Sequence, residues 1–142
     1  MMKNFQEEVM DNTKLINIAR EAREYAYSPL SGFKVGVALL TECGKVFTGC
    51  NVEDPSGIGV TNTCAERCAI VKAVSEGYRK FTKIAVVGGM DDDTDTQKLC
   101  LPCGACRQFI HGFNLQIIIV GLDDGVIKEF PLDELLPCSF NL

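Results

Sequence analysis

A chain of 142 residues, 46% hydrophobic and 23% charged, can bury one core of ordinary size and reads as a single domain over 1–142. Its net charge is −5, and its longest basic cluster is only "YRKFTK", Tyr78 to Lys83; together these exclude a phosphate-backbone partner and so a nucleic-acid binder. No apolar run approaches the ~20 residues of a membrane span, and Met1 to Met10 lack the apolar centre of an export signal, so a cytoplasmic protein without a membrane partner is expected.

Residues 11–26 place Leu15, Ile18, Ala19 and Ala22 at helical spacing, and "YSPLSG" (27–32) breaks that helix. The stretches 33–41 and 45–53 alternate as strands joined by a tight hairpin at "ECG". "DPSGIGVTN" (54–62) is loop by its proline and glycine content. A helix follows from about Cys64 to Glu76 and stops at Gly77, the residue type expected just past a C-terminus. Residues 83–89 read as a buried strand and 90–98 as an acidic surface loop. Pro102 opens a short helix, as proline at a first helical position can. Residues 115–122 and 125–130 form a second strand pair through "DDG", and "PLDELLP" closes with a helical turn. The order predicts an α/β fold, a three-layer α/β/α sandwich around a mixed five-stranded sheet.

Eight cysteines without an export signal argue against a disulfide framework. Cys43, Cys50, Cys68 and Cys138 are read as small buried hydrophobes. Cys103 and Cys106 form a C-x-x-C, which by itself suits redox chemistry, structural zinc or half of a catalytic zinc site. A structural zinc needs a fourth protein ligand, and the sole histidine, His111, sits mid-helix as an ordinary surface or core residue. Side chains in a first helical turn lean past the helix N-terminus, so Cys64 and Glu66 on one helix can converge with Cys103 and Cys106 on another. Cys68 lies a turn deeper, between Ala65 and Ala69, where packing is its expected role. Facing helix N-termini also stabilise thiolates.

The result is three sulfur ligands and one open position, the pattern of catalytic zinc. Glu66 has two readings. Thr63-x-x-Glu66 fits a capping box, which is the preferred reading for that stretch alone. The C-x-x-C downstream reverses the preference toward a proton carrier beside the metal.

"CAE" followed by "PCGACRQ" resembles the signature of the cytidine deaminase family. The resemblance extends to residues 27–53, similar to the family's N-terminal hairpin, and to "LLPCSF" (135–140), similar to its C-terminal segment. The short three-cysteine form is similar to the homotetrameric members that act on free nucleosides. The resemblance implies Zn²⁺ on Cys64, Cys103 and Cys106, with Glu66 as general acid and base. It implies that Arg67 hydrogen-bonds the ligand sulfurs and withdraws charge from them, as partners behind metal ligands do. Arg107, beside the other ligand turn, is open to the same use or to being an exposed helix arginine.

By the same resemblance Asn51 and Glu53 grip the ribose 3′-hydroxyl, their i, i+2 spacing putting both on one sheet face. Phe33 packs near the pyrimidine, backbone of Ala65 touches the base edge, and Phe140 reaches a neighbouring subunit's site; for either phenylalanine the alternative is core. The chain departs from the family in the longer loop "NVEDPSGIGVTNT" and in Leu101, where a serine commonly precedes "PCG". The implied reaction is the deamination of free cytidine and deoxycytidine in pyrimidine salvage. Rival readings are a deaminase of another aminopyrimidine such as a blasticidin-type nucleoside, a non-catalytic zinc-stabilised module, and a C-x-x-C redox protein.

Overall fold

The first helix, α1 (Asn12–Arg23), begins where the Asp11 side chain accepts the Lys14 backbone N–H at 2.8 Å, a standard N-cap bond. The computed structural model describes residues 9–90, 98–114 and 116–142. Beyond α1 it contains β1 (Phe33–Thr41), β2 (Val46–Cys50), α2 (Ala65–Ser75) and β3 (Phe81–Met90), then α3 (Gly104–His111), β4 (Ile118–Asp123), β5 (Val126–Pro131) and α4 (Leu132–Leu135). Most of the acidic loop predicted at 90–98, residues 91–97, lies outside the described residues, as does Leu115 at the start of the strand predicted over 115–122.

The sheet runs β2-β1-β3-β4-β5. The pairs β1–β2, β1–β3 and β4–β5 are antiparallel, and β3–β4 is parallel. The parallel pair follows from α3, which carries the chain back over the sheet between them, as a parallel connection requires. The β4–β5 hairpin turns through Asp124 and Gly125, both with positive φ, the conformation that matches strand twist in two-residue turns.

Alternate residues of each strand face opposite layers. On one face Leu15, Ile16 and Ala19 of α1 pack against Ala38, Ala85, Val87, Val120 and Leu122. On the other, Ala69, Ile70 and Ala73 of α2, Ile110 of α3 and Leu132 of α4 cover Val37, Leu39, Ile84, Val86 and Ile119. Each fully buried Leu or Ile contributes roughly 1.5–3 kcal/mol. The predicted three-layer mixed sheet is the observed fold. Among the described residues no helix is long and apolar enough to cross a membrane.

The helix layers approach closely because glycines face them. A Cβ at Gly36 would collide with the Ala19 carbonyl and the Arg23 backbone of α1, and one at Gly49 with Ala65 and Ala69 of α2. This close packing draws the N-terminus of α2 down onto β2.

Several boundaries differ from the sequence expectation. The first helix ends at Arg23 and not at residue 26. The second strand ends at Cys50 and not at residue 53; beyond it Val52 makes only isolated bridges to Tyr27 and Thr63. The four cysteines expected in the core are not there: Cys43 and Cys138 are exposed, Cys50 and Cys68 half-buried. Cys43 sits in the β1–β2 turn, Cys138 in the C-terminal tail, and Cys50 at the end of an edge strand. Their place in the topology overrides the general tendency of cysteine to be buried.

Candidate metal centre and active site

Cys64 is the N-cap of α2 and Cys103 the N-cap of α3, and neither side chain caps its own helix. Both thiols are left to project beyond the helix ends, where Cys106, in the first turn of α3, joins them. The three sulfurs lie within 4.8 Å of one another. Zinc–sulfur bonds of ~2.3 Å in a tetrahedron separate sulfurs by about 3.8 Å, so the cluster needs little adjustment to hold the ion.

Cys106 is buried, Cys64 half-buried and Cys103 exposed. Burial opposes ionisation of Cys103, but hydrogen bonds from the Cys106 backbone and from the Cys106 and Cys64 thiols outweigh it and hold that thiol below its usual pKa. Burial, then the charges of Glu66, Cys64 and Cys103, push the Cys106 thiol far up. Three crowded thiolates repel one another, and a divalent cation between them relieves that repulsion. The donor set fits zinc.

Glu66 is the second residue of α2 and only 5% exposed. Burial pushes its carboxyl above the ordinary range, against its backbone N–H, a hydrogen bond with Cys106 and the charge of Arg67. The capping box does not form. Thr63 is not the N-cap; it exchanges backbone hydrogen bonds with Val52 at 2.9 Å. Glu66 is thus free of the capping task that its sequence neighbourhood suggested.

The Arg67 guanidinium donates from Nη2 to Cys64 Sγ at 3.5 Å and to the Asn62 carbonyl at 3.4 Å. Arg107 is elsewhere: it donates to the Pro102 carbonyl at 2.7 Å and the Leu135 carbonyl at 2.9 Å, bracing α3 against α4. It is neither at the sulfurs nor an exposed helix arginine. His111, the last residue of α3, is buried and bonded to Asn141 at 2.9 Å, away from the cluster.

Two of the three cysteines, Cys64 and Cys103, line a cavity of about 210 Å³. Cys64, Ala65, Glu66 and Cys103 form one wall; Phe33, Val35 and Asn51 form another; Cys100 and Leu101 close it. It is small beside the ~300–1,000 Å³ of drug-sized sites, which suits one small molecule. Larger grooves of about 490 and 440 Å³ flank the Thr41–Cys43 turn at the other end of β1, and one of about 290 Å³ lies beside Cys50 and Cys68; none is lined by the three clustered cysteines.

Phe33, 40% exposed, lies over Gly88, whose added Cβ would be 3.2 Å from Phe33 Cε1 and 2.5 Å from Cys100 Sγ. Asn51 and Glu53 are not an open polar pair on a strand, as their spacing suggested. Asn51 Oδ1 accepts the Val35 N–H and its Nδ2 donates to the Phe33 carbonyl, each at 2.8 Å, so its side chain continues the ladder that β2 abandons. Glu53 Oε1 accepts the Leu30 and Ser31 backbone N–H groups at 2.9 and 3.1 Å. Hydrogen bonds from Ser31, side chain first, hold its carboxyl below the usual range. Phe140 is 68% exposed, its carbonyl accepting from Gln108 at 3.0 Å, and it does not line its own chain's cavity. Two lining residues gave no signal in the sequence, Val35 and Cys100; the Cys100 thiol is pushed up to about 11 by burial and then by Glu66.

Residues 10–122 match the family model of the cytidine and deoxycytidylate deaminase zinc-binding region. The chain belongs to the cytidine deaminase family. It is 45% identical over 135 residues to the cytidine deaminase of Sporosarcina psychrophila, covering 93% of each chain. It is 44% identical over 129 residues to a probable cytidine deaminase of Dictyostelium discoideum, covering 90% of this chain and 82% of the other. The crystal structure of cytidine deaminase from Burkholderia pseudomallei is 42% identical and superposes with a TM-score of 0.80, over 92% of this chain and 100% of that one. The sandwich is therefore the cytidine deaminase fold, and the protein is a zinc-dependent deaminase with a three-sulfur cluster suited to the ion.

Proposed function

We propose that this cytidine deaminase family member converts free cytidine and deoxycytidine to uridine and deoxyuridine with release of ammonia, as a cytoplasmic homotetramer in pyrimidine salvage. The observation that carries the reading is a three-thiol cluster two of whose members, Cys64 and Cys103, line a small cavity together with Glu66. Cys64, Cys103 and Cys106 hold the zinc. When bound, it supplies a water acidified toward a pKa of ~7. With a water supplied at that position, Glu66 would take one of its protons and pass it to the pyrimidine N3 as the oxygen bonds to C4. It would then move the remaining hydroxyl proton to the 4-amino group as the C4–N bond breaks and ammonia leaves. Arg67 offsets the negative charge of the sulfur set through Cys64. Phe33 packs on the base and the Ala65 backbone meets its edge.

Asn51 and Glu53 take the sugar. An amide has two donors and a carboxylate about four acceptor sites, so their existing bonds leave capacity for a hydroxyl. A site built to bond a hydroxyl rejects the analogue without it, and here the rejection is tempered because both side chains already have partners. Free cytosine is therefore expected to react at least ~10²-fold more slowly in kcat/KM than cytidine. Glu53→Ala should lose most of that preference while keeping its zinc. Loss of absorbance on deamination, run with cytidine, deoxycytidine, cytosine, blasticidin S and single-stranded DNA, is the test. If cytosine or the oligonucleotide reacts as fast as cytidine, the sugar-reading role is wrong; a preference for blasticidin S would replace the proposed substrate.

Assembly is the second expectation. Phe140 projects into solvent at the C-terminal end of the chain, and Ile58 and Val60 are exposed on the loop before α2, so apolar surface remains for neighbouring copies. Analytical ultracentrifugation should show a tetramer of the two-fold symmetric kind, with Phe140 completing a neighbour's site. A fully active monomer would contradict it.

A further inference from the structure

Arg23 is the last residue of α1 and 5% exposed. Its Nε donates to the Lys34 carbonyl at 3.1 Å, and its Nη2 to the carbonyls of Gly89 at 3.0 Å and Met90 at 2.7 Å. The Glu24 carboxylate approaches Nη1 only to 4.0 Å and is largely in solvent. A buried guanidinium is costly unless it is well hydrogen-bonded, and these three bonds bridge two strand ends. The carbonyls it selects are informative. They belong to the ends of β1 and β3, at the register Phe33↔Met90 and Lys34↔Gly89.

Phe33 stands at that end. From the β2 side, Asn51 holds the Phe33 carbonyl and the Val35 N–H. From the α1 side, Arg23 holds the next carbonyl, Lys34, and ties it to β3. The Phe33 ring lies over Gly88, one residue before Gly89, and lines the cavity beside Glu66. The tight seat of α1 on Gly36 sets the height from which Arg23 reaches.

We propose that Arg23 is a positioning residue for the reaction: its guanidinium clamps the ends of β1 and β3 and thereby fixes the Phe33 ring against the substrate base. The planar fork is required, because three carbonyls in different directions cannot be spanned by the single nitrogen of a lysine. The proposal rests on the cavity being the pyrimidine site. Displacing a positioning group by about 1 Å can cost up to ~10²-fold.

Arg23→Lys should raise KM for cytidine about ten-fold with kcat changed less than about three-fold and zinc unchanged. In a Phe33→Leu background the same substitution should cost less than about two-fold further in kcat/KM, while its effect on Tm is the same in both backgrounds. A purely structural role gives equal losses of kcat/KM in both backgrounds, and that result, or an unchanged KM, overturns the proposal. If Arg23→Lys cannot be purified, Arg23→Gln enters the same comparison. A second measurement is independent of substrate. With ¹³C-labelled phenylalanine, the Phe33 ring signals, assigned by their loss in Phe33→Leu, should shift or broaden in the Arg23 variant. Unmoved signals overturn the clamp whatever the enzyme turns over, whereas failure of wild-type protein to deaminate cytidine with shifted signals would remove the substrate reading alone.

Discussion

Glu66→Gln is expected to leave zinc content, fold and assembly intact and to lower cytidine turnover by at least ~10²-fold. The substitution keeps side-chain volume and one carbonyl oxygen, so a residue with only a packing role would be nearly unaffected. A capping role would be equally indifferent, since glutamine serves a capping box as well as glutamate. The geometry already removes that role, because the N-cap is Cys64 and Thr63 is engaged with Val52. What the amide cannot do is take a proton and return it. Glu66 sits in the first turn of α2, within reach of Cys106 and on the wall of the cavity. Steady-state turnover, measured beside zinc per chain and Tm, decides the point. Near-normal kcat in a variant with full zinc would sink the proton-carrier assignment.

The thiols should behave as three and one. Wild-type protein is expected to carry about one zinc per chain, and Cys64→Ala, Cys103→Ala or Cys106→Ala to fall well below that, with activity lost by at least ~10²-fold. The three losses should differ in their side effects. Cys103 is exposed, so its replacement removes a ligand and little packing; Cys106 is fully buried, so its replacement also leaves a small void. Cys68→Ala should keep both metal and activity, because Cys68 lies a turn along α2, near Cys50 and outside the cluster. Metal analysis after dialysis, with turnover on the same samples, tests all four. Zinc retained in any of the first three, or lost in the fourth, would overturn the ligand set.

Legibility in the sequence follows the range of the interactions involved. The C-x-x-C at Cys103 and Cys106 and the Cys64-x-Glu66 spacing are short-range facts: a helix N-terminus brings residues two or three apart to one end, whatever surrounds it. Strand alternation in 33–41, the glycine and positive-φ turns, and Gly77 after α2 are equally local, and each of those elements is in the structure. Together with the apolar run at 83–89, a strand patterned for burial on both faces, their order in the chain specified the layers and the mixed sheet.

Where two local rules competed, only the tertiary structure chose between them. Thr63 and Cys64 could each begin α2; the backbone pairing of Thr63 with Val52 left the N-cap to Cys64 and with it freed Glu66. The i, i+2 spacing of Asn51 and Glu53 suggested a shared sheet face. The strand instead stops at Cys50, Asn51 bonds to β1 through its side chain, and Glu53 turns to the amides of Leu30 and Ser31. Cys43 and Cys138 are exposed because a turn and a tail offer no core, which cysteine's average preference cannot reveal. Arg107 was open to a place at the sulfurs or on the helix surface and Arg23 gave no signal, yet each reaches backbone carbonyls far along the chain, at Leu135 and at Gly89 and Met90. Sequence determined which residues could hold a metal and move a proton, since that depends on side-chain chemistry and helical spacing. Whether two helix ends meet, and which carbonyl a buried guanidinium finds, depends on the packing of distant segments, and no local pattern encodes it.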